Sequence, residues 1–291
     1  MVGLCPSCIV RLPAGGMTQE FQTTSNSEKA SVLMQLDSLA NMPEGDTTVV
    51  RILSYNIRHG QGLDGRVDLA RIATVVRRLN ADIVALQEVD QGCSRSGEVH
   101  QADELGRMLS MAHVFGKTLD LSGGEYGLAV LSRLPILGDH CHPLPCDHEP
   151  RCALETVVQV GDGGGRFRLV SLHAAYAAGE DRLAQMRSLH GLFGGTTEAT
   201  VITGDFNATR DEPPLLYVQE QGWCISPKQG APETFPADVP TREIDFAVTP
   251  PLSPGRITSC RVADEMLASD HRPVVSEVVI PSREEACQDV D

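Results

Sequence analysis

Apolar residues begin to follow a regular pattern at Val49. The run from Val49 to Tyr55 predicts a buried β-strand, and Asp68 to Leu79 then places apolar side chains three and four positions apart, as on one face of a helix. A second apolar run, Ile83 to Leu86, predicts the next strand. The order strand, helix, strand is typical of an α/β core in which helices cover a sheet.

The same alternation continues along the chain. The glycine-rich run Gly161 to Gly165 predicts a hairpin turn between two of the later strands. Three proline-rich stretches predict irregular connections: Pro213-Pro214, Pro227 to Pro240, and Pro250 to Pro254. The further predicted elements are strands at Val130 to Ser132, Ala153 to Val160, Arg168 to Leu172, Thr200 to Thr203 and Val274 to Ile280, and a helix at Arg182 to Leu192.

The two ends of the chain lack this pattern. Residues 1–47 are dominated by Pro, Gly, Ser, Thr and Asn, with one short helix indicated around Ser31 to Leu39, and they predict a mobile N-terminal extension. Residues 282–291 predict a polar C-terminal tail. The single domain between them is expected to span residues 48–281, since no internal repeat or long linker divides it.

Composition narrows the class of protein. The chain has 291 residues, 41% of them hydrophobic, which is enough to bury a large core. Its 24 Lys and Arg against 39 Asp and Glu give a net charge of −15, so the average surface repels phosphate polyanions. This disfavours a protein that coats nucleic acid without regard to sequence. It does not exclude a nuclease, because bound divalent cations reverse the local field.

Two further features of the sequence predict the cellular location of the protein. No transmembrane segment is expected, because no stretch approaches the roughly 18 uninterrupted apolar residues of a membrane span, and the N-terminus lacks a secretory pattern. The nine cysteines form an odd, scattered set in a chain too long to need disulfides. We therefore expect a monomer in the reducing cytoplasm.

Candidate chemistry appears where predicted strands end. Asn56, Glu88, Asp205 and Asn207 each follow such a strand. One Asp or Asn after a strand is usually a turn or helix-cap residue. Several of them, accompanied by histidines, instead indicate one crevice, because ligands of open α/β sheets collect outside the strand ends.

Two short motifs point to phosphoester hydrolysis. In Gly204-Asp205-Phe206-Asn207, a carboxylate and an amide two residues apart can orient a water and donate a hydrogen bond to a phosphoryl oxygen. In Ser269-Asp270-His271, the hard carboxylate suits Mg²⁺ or Mn²⁺, and a cationic imidazole suits a phosphoryl oxygen.

Six short motifs follow one another along the chain: Ser54-Tyr55-Asn56-Ile57, Gln87-Glu88, Val170-Ser171-Leu172-His173, Gly204-Asp205-Phe206-Asn207, Ile244-Asp245-Phe246 and Ser269-Asp270-His271. In order and rough spacing, over about Val49 to Pro281, they resemble the motifs of the endonuclease/exonuclease/phosphatase superfamily. This superfamily includes deoxyribonucleases, sphingomyelinases, phosphatases and small bacterial hydrolases, and the small bacterial members are the most similar.

The resemblance implies a fold and a cofactor. The fold is a four-layered α/β sandwich, in which two mixed sheets pack face to face and helices flank them. Asn56 and Glu88 are implied to hold Mg²⁺ or Mn²⁺, with Asp270 completing or supporting that site. Asp205 is implied to orient or deprotonate the attacking water.

The remaining implied roles concern the phosphoryl group. Asn207 and His173 would bind its oxygens, with His173 also a candidate acid for the leaving group. His271 would stabilise the transition state, and Asp245 would fix the tautomer and charge of His271. The predicted activity is metal-dependent phosphodiester hydrolysis of a small molecule, lipid headgroup or nucleic acid. A nuclease acting on DNA or RNA and a catalytically silent binding scaffold of the same fold stay open as alternatives.

Some positions depart from the motifs of relatives. Arg58 replaces an acidic residue of apurinic endonucleases, which weakens the case for a second metal ion, and Leu128 replaces a common Asn. Arg151 is a candidate for binding a substrate phosphate, with an exposed strand-edge arginine as the alternative. Glu125 is a candidate carboxylate partner for His173, with a surface turn residue as the alternative.

Two cysteine groups are candidates for other kinds of metal site. Cys5-Pro6-Ser7-Cys8 has the spacing of half a zinc ribbon without a second pair, which favours free thiols. A denser group is predicted to lie in an irregular connection between strands, with structural zinc and redox cross-linking as the alternatives. Its members are Cys141, His142, Cys146, His148 and Cys152.

Overall fold

Two mixed sheets of six strands each form the centre of the protein, as described by a computed structural model for residues 47–161, 164–177 and 179–281. The strands in chain order are β1 (Thr47–Asn56), β2 (Ile83–Gln91), β3 (Ala112–Leu121), β4 (Gly124–Ser132), β5 (Ile136–Leu144), β6 (Arg151–Val160), β7 (Gly165–His173), β8 (Thr200–Asp205), β9 (Cys224–Ile225), β10 (Asp245–Thr249), β11 (Arg256–Val262) and β12 (Val274–Pro281).

The two sheets have related topologies. The first has the order β11-β12-β1-β2-β4-β3 and the second the order β5-β6-β7-β8-β10-β9. In each sheet the two middle strands are parallel, β1 with β2 and β7 with β8, whereas the other pairs are antiparallel. The carboxyl ends of these parallel strands are therefore the places where polar residues from each sheet can meet.

Four α-helices accompany the sheets in the described part of the chain: α1 (Leu69–Leu79), α2 (Gln101–Leu109), α3 (Gly179–Phe193) and α4 (Pro213–Glu220). Helix α1 shows why such a segment folds locally. The Asp68 carboxylate caps its N-terminus by accepting a hydrogen bond from the Arg71 amide, and Asn80 ends it in a left-handed conformation, φ +50°.

Three apolar clusters define four layers. The first lies between the sheets and joins Ile52 and Ile83 of one sheet to Leu154 of the other. The second covers the outer face of the first sheet with α1 and α2, and the third covers the outer face of the second sheet with α3 and α4. Successive residues of β1 alternate between these layers: Ile52 faces the other sheet and Leu53 faces the helices. This confirms the four-layered sandwich.

Most elements with a strong apolar pattern are confirmed. The hairpin at Gly161 to Gly165 is confirmed by antiparallel pairing of β6 and β7 as far as Val160 opposite Gly165. The strand predicted at Val130 to Ser132 is the end of a longer strand, β4. The sequence pattern missed β3, β5, β9, β10, β11 and the helix α2.

Two assignments of irregular structure were wrong. Pro213-Pro214 begins helix α4 and does not interrupt the chain, because proline lacks only an amide that the first helical turn leaves unpaired. Cys141 and His142 lie in strand β5, and Cys152 lies in β6. Strand β5 tolerates Pro143 because it is the edge strand of its sheet.

The chain ends lie outside the described residues. This applies to the helix indicated around Ser31 to Leu39, to the Cys5 and Cys8 pair, and to residues 282–291. The division into residues 1–47, 48–281 and 282–291 thus stays a prediction. None of the helices described here is long and apolar enough to cross a membrane.

Candidate active site

The site forms where the parallel strands of both sheets end. Asn56 ends β1 opposite Gln87 of β2, and His173 ends β7 opposite Asp205 of β8. The Gln87 amide links the sheets, because its Nε2 donates a hydrogen bond to Ser171 Oγ on β7 at 3.2 Å. Four of the predicted motifs therefore meet at one edge of the sandwich.

Asp205 is the centre of this arrangement. Its buried Oδ2 lies 3.6 Å from His173 Nε2 and 3.7 Å from His271 Nε2, and it accepts a hydrogen bond from Asn56 Nδ2 at 3.2 Å. Burial raises the pKa of the Asp205 carboxyl to about 7, with His271 opposing the rise and Asp245 adding to it. A carboxyl group with that pKa can accept a proton near neutral pH.

His271 is held as a cation by two carboxylates. Its Nδ1 lies 2.9 Å from Asp245 Oδ2, which also accepts a 2.5 Å hydrogen bond from Thr234 Oγ1. Burial by itself lowers the pKa of His271, but Asp245 and Asp205 outweigh burial and raise it to about 10. The imidazole is therefore positively charged at neutral pH.

His173 is in the opposite state. Burial, with Arg151 and His271 as further causes, holds its pKa well below the ordinary value. The site thus contains one neutral and one cationic imidazole on either side of Asp205. Such a separation of pKa values between neighbouring groups is typical of acid and base chemistry.

Asn207 is fixed beside Asp205 by a tight turn. Its amide N donates to Asp205 Oδ1 at 2.8 Å, and its Nδ2 donates to the Ala174 carbonyl at 3.1 Å. Its φ is +50°, a conformation that asparagine adopts more readily than most residues. The predicted proximity of Asp205 and Asn207 is present in the structure.

Gly204 permits the close approach of β7 and β8. It has φ +152°, and a Cβ atom at this position would lie 1.9 Å from the Leu172 carbonyl oxygen. No other residue type fits without moving one of the two strands that position His173 and Asp205.

The three metal ligands implied by the resemblance lie on the side of the first sheet. Glu88 has φ +59° at a register shift between Leu86 and Val89, and this bulge turns its side chain toward the site. Its Oε1 accepts a hydrogen bond from Asn56 Nδ2 at 3.0 Å. Burial raises the pKa of Glu88, the Asn56 hydrogen bond opposes this, and Asp270 adds to it.

This donor set fits a hard divalent cation. Glu88 and Asp270 offer carboxylate oxygens, and Asn56 offers an amide oxygen that also accepts a hydrogen bond from the Arg58 amide at 3.1 Å. A cation would relieve the repulsion between Glu88 and Asp270. Asp270 already contacts one cation, because Arg58 Nε lies 3.4 Å from its Oδ2. Arg58 therefore places a positive charge beside Asp270.

A second group of ligand atoms is available nearby. Among the described residues, Asp205, Asp245 and His271 bring three such atoms within 4.8 Å of one another, and all three residues are buried. A metal ion there would displace the proton between His271 and Asp245. Binding of a cation by Glu88, Asn56 and Asp270 would require no such exchange.

A cavity of about 530 Å³ gives access to these groups. Asn56 and Asp245 are buried and outside this lining, and they hydrogen-bond Glu88 and His271 respectively. The residues that line it are Glu88, Arg95, Leu119, Leu121, Tyr126, Glu149, Arg151, His173, Tyr176, Asp205, Asn207, Phe235, Arg242, Ile244, Asp270 and His271.

The two candidate substrate-binding residues differ in position. Arg151 lines the cavity with its side chain buried, and its Nη1 pairs with Glu149 at 2.6 Å. Glu125 lies outside the lining and pairs with Lys117 at 2.9 Å. The carboxylate beside His173 is Asp205, so the interpretation of Glu125 as its partner was wrong. Leu128 is buried between the sheets.

Several residues of the site were missed from the sequence. Thr234 hydrogen-bonds Asp245, and the Phe235 ring packs 5.0 Å from the His271 ring. Arg95, Tyr126 and further lining residues come from separate loops and strands. No local motif marks any of them, because only the folded chain brings them to the cavity.

The denser cysteine group does not form a metal site among the described residues. Its members separate into local contacts. Cys146 Sγ and His148 Nδ1 contact Asp181 at 3.4 and 3.1 Å, whereas His142 pairs with Glu155 at 2.7 Å.

The fold and the site together define a class, the α/β-sandwich hydrolases of phosphoester bonds. The chain belongs to the Endonuclease/Exonuclease/phosphatase family, whose model matches residues 53–271. No curated protein matches the sequence.

Solved structures share the fold. An endonuclease/exonuclease/phosphatase from Beutenbergia cavernae DSM 12333 has 23% identity and TM-score 0.66, covering 80% of this chain and 72% of its own. The mannosyl-6-phosphatase of Bacteroides thetaiotaomicron VPI-5482 has 19% identity and TM-score 0.63, covering 79% and 99%. Sphingomyelinase C from Streptomyces griseocarneus has 18% identity and TM-score 0.63, also covering 79% and 99%. At these identities the likeness establishes the fold.

Proposed function

We propose that this protein is a divalent-metal-dependent phosphodiesterase that uses Mg²⁺ or Mn²⁺. The observation that supports this most strongly is the position of Asp205 between a neutral and a cationic histidine. That arrangement provides a proton acceptor and a fixed positive charge within one buried site, which are the two requirements of attack by water on a charged phosphoester.

Each residue of the site has a separate proposed role in the hydrolysis. Asp205 orients the attacking water for in-line attack and accepts its proton. His271 and the Asn207 amide stabilise the negative charge that develops on the phosphoryl oxygens. His173 is neutral, so it donates a hydrogen bond to the phosphoryl group, and its lowered pKa argues against a role as the acid for the leaving group.

Glu88, Asn56 and Asp270 would hold the cation. When bound, the cation supplies positive charge that offsets the charge of the phosphoester. Arg58 Nε lies 3.4 Å from Asp270, and its positive charge disfavours a second ion there. Asp245 is a positioning residue, because it acts through His271.

The substrate is proposed to be a small phosphodiester. A cavity of about 530 Å³ lies within the range of pockets that enclose one small ligand. The similar structures include a phosphatase and a sphingomyelinase by name, so they do not select between monoesters and diesters. A nuclease and a silent scaffold are retained as outcomes of the test.

A substrate panel tests the proposal. The full chain is incubated with a nitrophenyl phosphodiester, a nitrophenyl phosphomonoester, sphingomyelin, inositol phosphates and supercoiled or abasic DNA, each with Mg²⁺, Mn²⁺ or a chelator. We expect diester hydrolysis that disappears with chelator and returns with either ion, because the proposed ligands are hard oxygen donors. Undiminished hydrolysis with chelator would refute the metal mechanism, and no hydrolysis under any condition would indicate a silent scaffold.

A metal-binding measurement tests the proposed ligands independently of the activity assay. Calorimetry should detect Mn²⁺ binding to the wild-type chain and much weaker binding to Glu88→Gln. The matched control is Glu104→Gln, since Glu104 is a surface carboxylate that pairs with Arg107 outside the cavity. Equal Mn²⁺ binding by the wild-type chain and Glu88→Gln would place the cation elsewhere.

A further inference from the structure

One wall of the cavity contains an arginine whose orientation is fixed by a buried carboxylate. Arg95 Nε and Nη2 donate to the two oxygens of Asp90 at 2.8 and 2.7 Å, and the Asp90 side chain is fully buried. Ser96 Oγ donates to Asp90 as well. The Arg95 side chain is 34% exposed and lines the cavity. Its Nη1 has no protein partner among the described residues, so one edge of a pre-oriented guanidinium faces the cavity.

Tyr126 connects Arg95 to a second arginine. The Arg95 guanidinium lies over the Tyr126 ring, 5.4 Å from its centroid. Burial raises the pKa of Tyr126, and a hydrogen bond between its hydroxyl and Arg151 opposes that rise. Tyr126 therefore contacts Arg95 through its ring and Arg151 through its hydroxyl, and all three side chains line the cavity.

Arg151 also retains unused hydrogen-bonding capacity. Its side chain is only 5% exposed, and its buried Nε has no partner in the described part of the chain. A buried polar group without a partner is unfavourable, so an unpaired Arg151 Nε marks a position where hydrogen-bonding capacity is kept at a cost in stability. Arg151 influences both Glu88 and His173 electrostatically, which places it at the border of the reaction centre.

The chemistry proposed above does not require Arg95. In the proposed mechanism, the attacking water and the phosphoryl oxygens are bound by Asp205, Asn207 and the two histidines. In a chain with a net charge of −15, this cavity is lined by two guanidinium groups, each held by one carboxylate: Arg95 by Asp90 and Arg151 by Glu149.

From this geometry we propose that Arg95, Tyr126 and Arg151 form a second anion subsite, which holds a phosphate or carboxylate of the substrate other than the group that is hydrolysed. The substrate class is therefore a small, soluble phosphoester that carries a second anionic group. This inference rests on the proposed function for the identity of the first group. A nucleic-acid strand is disfavoured because the rest of the acidic surface would repel its flanking phosphates.

Binding of small molecules that carry two phosphate groups tests the subsite without catalysis. Calorimetry on the full chain without added metal compares propane-1,3-diol bisphosphate and pentane-1,5-diol bisphosphate with propyl and pentyl phosphate. We expect at least one bisphosphate to bind about tenfold or more tightly than its monophosphate, because charged hydrogen bonds in a pre-oriented site are strong. Equal affinities for both pairs would overturn the proposal.

Variants assign the effect to Arg95. The double variant Asp90→Asn/Arg95→Gln removes both members of the ion pair, so no buried carboxylate is left unpaired. Its affinity ratio between bisphosphate and monophosphate should fall to about one, whereas Arg107→Gln, which removes a surface arginine, should keep the wild-type ratio. Arg95→Lys is measured in parallel as a variant that keeps the charge and retains part of the ratio. A ratio unchanged in the double variant would overturn the subsite.

Two further measurements distinguish a failure of this inference from a failure of the proposed function. Thymidine 5′-(4-nitrophenyl phosphate) is assayed for hydrolysis with Mn²⁺. If it and every ester of the panel are inert while the bisphosphate preference depends on Arg95, the proposed function fails and the subsite stands. If a diester is hydrolysed without any such preference, the subsite fails and the function stands. Tighter, Arg95-dependent binding of a four-residue oligothymidylate than of either bisphosphate would overturn the small-molecule class.

Discussion

At the scale of single residues, identical side chains acquire different chemistry from their neighbours. His173 and His271 are both buried and both near Asp205, but only His271 has a second carboxylate, Asp245, within 2.9 Å. The cationic form of His271 is therefore stabilised, whereas burial favours the neutral form of His173. A local motif identified both histidines in the sequence, but their charges depend on contacts that only the fold creates.

This difference predicts a titration. Because the pKa of His271 is raised from 6.5 to about 10, its charge pair contributes stability that is fully present below about pH 6.5 and is lost as pH rises through about 10. In the metal-free chain, NMR of the imidazole nitrogens should show His271 protonated at pH 8. Asp245→Asn should lower that pKa, with circular dichroism confirming the fold. A wild-type His271 that titrates near its ordinary value would contradict the assignment.

At the scale of secondary structure, the sequence predicted elements with long apolar runs and missed those without them. Strand β1 and helix α1 have clear periods and were found. Strand β5 was missed because it is an edge strand with polar residues and a proline, and α4 was missed because Pro213 was taken as an interruption. These are positions where tertiary context outweighs local propensity.

Gly204 shows how strongly one contact between strands is constrained. Gly204→Ala should destabilise the protein by about 3 kcal/mol or more, because its Cβ would overlap the Leu172 carbonyl oxygen. The matched control is Gly191→Ala in α3, where nothing lies within 4 Å of the added Cβ; it should stabilise by about 0.5–1 kcal/mol. Urea denaturation measures both. Equal unfolding midpoints for the two variants would show that β7 and β8 separate easily.

At the scale of the whole molecule, the order of motifs was enough to predict the sandwich and the convergence of its strand ends. Asp205, Asn207 and Asp270 could be found because they lie within short motifs. Thr234, Arg95 and Tyr126 could not, because their roles arise from contacts with residues distant in sequence. The distribution of charge could not be predicted either, because a net charge of −15 does not indicate that two arginines line one cavity.

The predicted extension can be tested by truncation. Deleting residues 1–46 should leave the melting temperature and turnover nearly unchanged, because this segment lacks an amphipathic pattern that would pack on a core. Differential scanning calorimetry and the panel substrate give the two readouts. A large fall in melting temperature would show that the segment is docked on the domain.

The proposed function gives Asp205 the role of proton acceptor and Glu88 the role of metal ligand. The direct measurement is turnover against Mn²⁺ concentration for Asp205→Asn and Glu88→Gln, with circular dichroism confirming that both are folded. Turnover of Asp205→Asn should fall about 10²- to 10⁴-fold at every Mn²⁺ concentration, because the amide keeps the size of the side chain and removes its basicity. Glu88→Gln should recover in part at high Mn²⁺, since mass action refills a weakened site. Recovery of Asp205→Asn by Mn²⁺, or a loss smaller than about tenfold, would contradict the account.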